Sequence, residues 1–319
     1  MNKEKTLIIT SIYSNLWGTE LGGRPSREYH YKVSLLSILN LNPEKVICYT
    51  SQEELPQLEQ YFYNEKNISR DLLEFKVFDL HSTRYFNKIK TKKDLEEMKT
   101  FHRSYEVQYN KLFWSDNLTD ILDFDRIYWF DAGLSHGGLF PEEYSYGNGF
   151  DRNFQFNLFN QNFLSYLNDI SKDKFILVGK NNTDAFYWST TLPEKYYNNY
   201  CKDIHIVGGF FGGTVEMYRK VSKMFDDLLV NLLISEDELY FEEQIFSTIY
   251  YNNPEMFHTL GFDDWYNRDT HDDNVKYFYD IFLIDESSSD AVSEDSEFDE
   301  FTLKVRQIIE QFIKEKNLI

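Results

Sequence analysis

The sequence predicts an α/β fold, a mostly parallel central sheet flanked by helices. Strand-like and helix-like patterns alternate through the first half of the chain, the rhythm of βαβ units. The strand candidates are apolar at consecutive positions rather than alternating ones, as strands covered on both faces are. One such run, Arg126-Ile-Tyr-Trp-Phe-Asp131, ends abruptly on a carboxylate and is followed by Ala132-Gly-Leu-Ser-His136-Gly-Gly. Open α/β sheets gather ligands at the carboxyl ends of their strands, so Asp131 is poorly placed for packing and well placed to hold a cation or a ribose.

The elements follow in order. Thr6 to Tyr13 reads as a strand, and a loop with Gly18, Gly22, Gly23 and Pro25 comes after it. Tyr29 to Leu39 has helical spacing, with Val33, Leu36 and Leu39 along one face. Val46 to Thr50 is a strand, Glu53 to Tyr63 a helix, and Glu74 to Asp79 a third strand. One long helix is expected over Asp94 to Trp114, leading into the strand that ends at Asp131. Asn153 to Ile170 reads as a helix and Lys174 to Gly179 as a strand. The segment Ile206-Val-Gly-Gly-Phe-Phe-Gly-Gly213 precedes a long helix from Thr214 to Leu233, and a further helix is expected over Glu236 to Tyr251.

These elements assign residues 1–284 to one domain. Residues 285–297, rich in Ser, Asp and Glu, read as a solvated linker. In residues 298–319, Phe298, Phe301, Val305, Ile308 and Phe312 recur at spacings of three and four, which is an amphipathic helix. It could dock on the domain, pair with a second copy or lie against a membrane surface.

Net charge is −20 at neutral pH, and eight of the acidic residues lie between Asp285 and Glu300. A surface this acidic excludes nucleic acid as a general partner. It also means that an anionic ligand needs local help, from a metal ion or from placed arginines. Two distant cysteines, Cys48 and Cys201, build neither a disulfide framework nor a metal knuckle. No apolar run reaches membrane-spanning length and the N-terminus runs straight into a strand, so a cytoplasmic protein is expected, at most peripheral to a membrane.

Four glycines in six positions at 208–213 exceed what a turn requires and imply a backbone that comes close to something bulky. With Asp131 they point to a nucleotide-sugar site. Arg24 and Arg27, in Gly23-Arg-Pro-Ser-Arg-Glu-Tyr29, are the obvious cations for a diphosphate, unless Ser26 only caps a helix there. Lys111 is a further cation of the same kind. His136 could meet a sugar or hydrogen-bond within its glycine turn, and Asp131 could instead cap the next turn.

Together, Thr10-Ser-Ile-Tyr13, the Arg24/Arg27 segment, Trp129-Phe-Asp131-Ala-Gly-Leu-Ser-His136-Gly-Gly-Leu-Phe-Pro141 and Glu242-Glu-Gln244 resemble the HtrL/YibB-like glycosyltransferases. That group has the GT-A fold and is associated with bacterial surface polysaccharides. Phe211-Gly-Gly-Thr also looks like the donor wall of blood-group-type GT-A transferases. The resemblance covers residues 6–270 and implies transfer of a sugar from a nucleotide donor, a UDP-sugar above all, to a hydroxyl of a glycan or lipid-linked glycan. It implies that Thr10, Ser11 and Tyr13 receive the nucleoside, Tyr13 by stacking on the base, and that Gly212 and Gly213 admit the sugar ring. It places Glu243, with Gln244 and His136, at the reacting centre. It makes Asp131 a ligand of Mn²⁺ or Mg²⁺, with His258 as partner, although one aspartate stands where such motifs often carry two. Two other readings stay open: a sugar nucleotidyltransferase, which Gly18-Thr-Glu-Leu-Gly-Gly-Arg24-Pro imitates loosely, and a silent carbohydrate-binding or scaffold protein on the same fold.

Overall fold

A computed structural model describes residues 4–14, 16, 28–95, 104–118, 121–132, 163–181, 194–196 and 204–261. Strands β1 (Thr6–Ile12), β2 (Lys45–Thr50), β3 (Leu73–Val77), β4 (Arg126–Phe130), β5 (Phe175–Asn181), β6 (Ile204–Thr214) and β7 (Phe257–Gly261) form one seven-stranded sheet in the order β3-β2-β1-β4-β6-β5-β7. Strand β6 runs antiparallel to β4 and β5, and every other neighbouring pair is parallel. The mostly parallel α/β sheet expected from the sequence is therefore present.

Helices cover both faces, which explains why the strands read as unbroken apolar runs. Leu7, Ile9 and Tyr13 of the first strand segment, with Ile127 and Trp129 of β4, pack against α4 (Tyr105–Phe113), α6 (Val215–Val230) and α7 (Glu242–Asn252). Ile8, Ile12, Tyr128 and Phe130 point the other way, onto α1 (Glu28–Asn40) and α5 (Phe163–Ile170). Burying each such side chain contributes about 1.5–3 kcal/mol, so the two layers together hold the sheet ends in place. Strand β1 has β2 on one side and β4 on the other, so the strand order reverses beside β1. The crevice beyond the carboxyl ends of β1 and β4 is where a sheet of this kind accepts a ligand.

Several elements differ from the sequence-based expectation. The single helix expected over 94–114 is two: α3 (Phe86–Leu95) and α4. Ser104 starts α4, its hydroxyl accepting from Val107 N at 3.3 Å. The glycines at 208–213, expected only as a segment ahead of a helix, lie inside an eleven-residue strand. Thr214 then caps α6 through its hydroxyl, which accepts from Met217 N at 3.2 Å. The helix expected from Glu236 begins at Glu242, because the Gln244 side chain reaches back to accept from Phe241 N at 2.8 Å and fixes the entry turn. The short helix α2 (Leu55–Glu59) continues as a π-helical turn, Gln60–Glu65. The expected linker, the C-terminal helix and residues 153–162 lie outside the described residues. Among the described residues no helix is long and apolar enough to cross a membrane.

Candidate functional site

Asp131 follows β4 directly, and its N–H still donates to Gly209 O at 2.8 Å, which carries the β6 pairing one residue past the strand. The residue lies on the face of Ile127 and Trp129, and 35% of its side chain is exposed. Its Oδ1 accepts from the Trp129 indole Nε1 at 2.8 Å. The ammonium of Lys111, on α4, lies 3.0 Å from Oδ1 and 3.2 Å from Oδ2.

Lys111 is buried, and its remaining bonds run to Gly208 O at 3.0 Å and to Glu242 Oε1 at 3.0 Å. An ammonium has three hydrogens, and here Asp131, Gly208 and Glu242 take all three. Burial alone would push the lysine toward neutrality, but the carboxylates of Asp131 and Glu242 outweigh it and raise its pKa above the ordinary lysine value. It is a permanent cation inside the protein, 5.6 Å from the Trp129 ring centre. The expected contact of Lys111 with a donor phosphate is corrected: no hydrogen is left to make it.

Glu242 is almost fully buried, and the glycine at 208 is what admits it. A Cβ on Gly208 would lie 2.6 Å from Glu242 Oε1 and 3.0 Å from its Cγ. Gly208→Ala is therefore expected to cost about 1–3 kcal/mol through overpacking and to loosen the Lys111 contact, read as a lowered Tm. Glu243, half-buried, accepts from Gly208 N at 3.3 Å through Oε1, so it borders the same backbone. Gln244 is corrected from a reacting-centre group to the helix-capping one described above; it is buried and turned to the chain. Because α7 starts at Glu242, both glutamates stand in its first turn, where the helix dipole favours negative charge.

The expected nucleoside contacts separate. Ser11 stands two residues past Ile9, as Asp131 stands two past Trp129, and Ile9 pairs with Trp129. Ser11 is thus level with Asp131 on the same face of the neighbouring strand, about 5 Å across the sheet, and partly exposed. Thr10 points to the opposite face and is completely buried, so its expected role is corrected to packing. Tyr13 is also corrected: it is buried, donates its hydroxyl to Phe78 O at 2.9 Å and stacks on Trp114 at 6.1 Å. Burial first, then the neighbouring Cys48 and Glu54, push its phenol far above the ordinary range.

Gly212 and Gly213 pair with Tyr128 and Ile127, well down the strand from Asp131, so the expected sugar contact is corrected to strand packing. Gly208 and Gly209 are the glycines that reach the site. His258 is corrected as a partner of Asp131. It sits on the edge strand β7, opposite Ile176 of β5, with β5 and β6 between it and β4. Three strand spacings separate the two columns by about 14 Å. Among the described residues no group of three or more His, Cys, Asp or Glu side chains is placed to hold a metal ion. The expected Mn²⁺ or Mg²⁺ pair of Asp131 and His258 does not fit this geometry. Arg24, Arg27 and His136 lie outside the described residues. Sequence reasoning placed Glu242, Gly208 and Trp129 within its motifs but not the contacts they make here: Glu242 holding Lys111, Gly208 leaving room for Glu242, and the Trp129 indole on Asp131.

No family model matches the chain, and no curated protein matches it. Solved structures do. A 4-diphosphocytidyl-2C-methyl-D-erythritol synthase from Anaerococcus prevotii is 11% identical with a TM-score of 0.39, over 82% of this chain and 90% of that one. The bifunctional IspDF of Campylobacter jejuni is 12% identical with a TM-score of 0.35, over 82% of this chain and 51% of that one. Core-mannan synthase A of Aspergillus fumigatus, in a form with Mn and GDP, is 8% identical with a TM-score of 0.45, over 81% of this chain and 73% of that one. Likenesses this distant assign no activity; the strand order and the Asp131 site stand on the geometry above.

Proposed function

We propose that this chain is a nucleotide-sugar-dependent glycosyltransferase of the GT-A type. The observation that carries the reading is the partly exposed carboxylate of Asp131 at the carboxyl end of β4, beside the point where strand order reverses. A buried ion cluster holds that carboxylate, an arrangement that costs desolvation and has no evident use in packing alone. Asp131 accepts hydrogen bonds from ribose or sugar hydroxyls, with Ser11 beside it on β1. Arg24 and Arg27 meet the diphosphate.

Glu243 serves the reacting centre. In the inverting form, the acceptor O–H gives its proton to the Glu243 carboxylate, the acceptor oxygen bonds to the anomeric carbon, and the bond to the nucleoside diphosphate breaks. The acceptor is a hydroxyl of a glycan or lipid-linked glycan. Asp131 and His258 stand on strands too far apart to share one ion, so no step is assigned to a divalent cation.

A panel of nucleotide sugars tests this, each added with and without Mn²⁺ and read by thermal unfolding. A true donor at a hundredfold excess over its Kd adds about 2.7 kcal/mol of apparent stability. Transfer from the best donor to a hydroxyl acceptor is the expected product. No stabilisation by any member, and no slow donor hydrolysis, would leave a silent binding protein. Pyrophosphate release from a nucleoside triphosphate would make it a nucleotidyltransferase.

A further inference from the structure

Within the buried cluster, Asp131 alone has a substantially exposed side chain. Glu242 is buried, and the hydrogens of Lys111 are committed to protein acceptors. We infer that Lys111 is the positioning residue for Asp131, and that Glu242 serves to hold Lys111 rather than to touch a ligand. This rests on the reading of Asp131 as the ligand-binding group.

An exposed aspartate samples several rotamers, and an unfixed one binds at an entropic cost. Here two donors fix it: the Trp129 indole on Oδ1 and the Lys111 ammonium beside both oxygens. A lysine stem is itself flexible, so the ammonium needs its own anchor. Gly208 O and Glu242 Oε1 supply it from β6 and α7, and Tyr218 of α6 donates to the Lys111 carbonyl at 3.1 Å. Four elements therefore converge to place one carboxylate. A carboxylate offers about four acceptor sites, and Lys111 and Trp129 leave part of that capacity on a side chain that is partly exposed. The cluster sets two carboxylates against one lysine, and Asp131 is its exposed member. That suits a pair of neighbouring hydroxyl donors, as on a ribose or a hexose.

The informative variant removes the buried pair without leaving a lone charge: Lys111→Met combined with Glu242→Gln. Lys111→Leu with Glu242→Gln serves the same comparison should the first not fold. Two quantities are read in the full chain: solvent exchange of the Trp129 indole N–H by NMR, assigned with Trp129→Phe, and the affinity for the best nucleotide sugar. If Lys111 positions Asp131, the folded double variant loses indole protection and its affinity falls roughly 10- to 100-fold, the usual effect of a misplaced contact. A folded double variant that keeps the indole protected overturns the inference, whatever its affinity. Lost protection with unchanged affinity shows instead that Asp131 is not the ligand contact. A wild-type chain that binds no nucleotide sugar removes the proposed function, while the indole measurement still decides the role of Lys111.

Discussion

Lys111→Met is expected to lower the unfolding free energy by about 3–5 kcal/mol, the cost of removing one partner from a buried ion pair. The size follows from what stays behind. Glu242 is buried and loses the ammonium 3.0 Å from its Oε1, while Gly208 O loses its donor at 3.0 Å. A methionine fills the lysine's volume, so the loss reports charge and hydrogen bonding rather than a cavity. Urea denaturation at neutral pH measures it as a lower midpoint with an unchanged slope. A midpoint within experimental error of the wild type would mean that the cluster contributes little and that the site is not held as described. Since whole domains are stable by only about 5–15 kcal/mol, the variant is also expected to accumulate poorly.

Gly212→Ala is expected to be as damaging for a different reason. Its φ of 158° is one that L-residues rarely adopt, and an added Cβ would lie 2.3 Å from Ile127 O and 2.4 Å from Tyr128 Cδ1. Both obstacles belong to β4, the strand that delivers Asp131, and a backbone oxygen cannot swing aside as a side chain can. Strain and overpacking together are expected to cost about 2–6 kcal/mol, read as the same shift in urea midpoint. At Gly208 the obstacle is the end of the Glu242 side chain, which is why the smaller effect is expected there. A wild-type midpoint for Gly212→Ala would contradict the β4–β6 register.

The strands covered on both faces were legible because burial writes itself as a continuous apolar run: β1, β2 and β4 lie within a residue or so of their expected bounds. Strand β6 was not, since four glycines erase the usual strand signal, and what crowds three of them is distant in sequence: Glu242 of α7 at Gly208, Ile127 and Tyr128 of β4 at Gly212, and the Lys174 carbonyl at Gly213. Helix α3 leaves little helical signal because the apolar positions in the run Phe86-Asn-Lys-Ile-Lys-Thr-Lys-Lys are only Phe86 and Ile89. Asp131 was legible as a carboxylate that ends an apolar strand. The choice between Glu242 and Glu243 was not, because it depends on where α7 begins, and one side-chain cap decides that. A buried lysine leaves no mark on the local pattern; its partners come from the end of β4, from β6 and from α7, and two of them are 97 and 131 residues away in sequence.

The dissociation constant of the best nucleotide sugar, compared between the wild type and Asp131→Asn by titration calorimetry, bears on the whole account. The asparagine keeps the shape and an acceptor for the Trp129 indole, so the fold is expected to lose only about 1–2 kcal/mol. Affinity is expected to fall roughly 10- to 100-fold, the worth of a hydrogen bond to a charged acceptor. Equal affinities in two folded proteins would contradict the assignment of the site to Asp131.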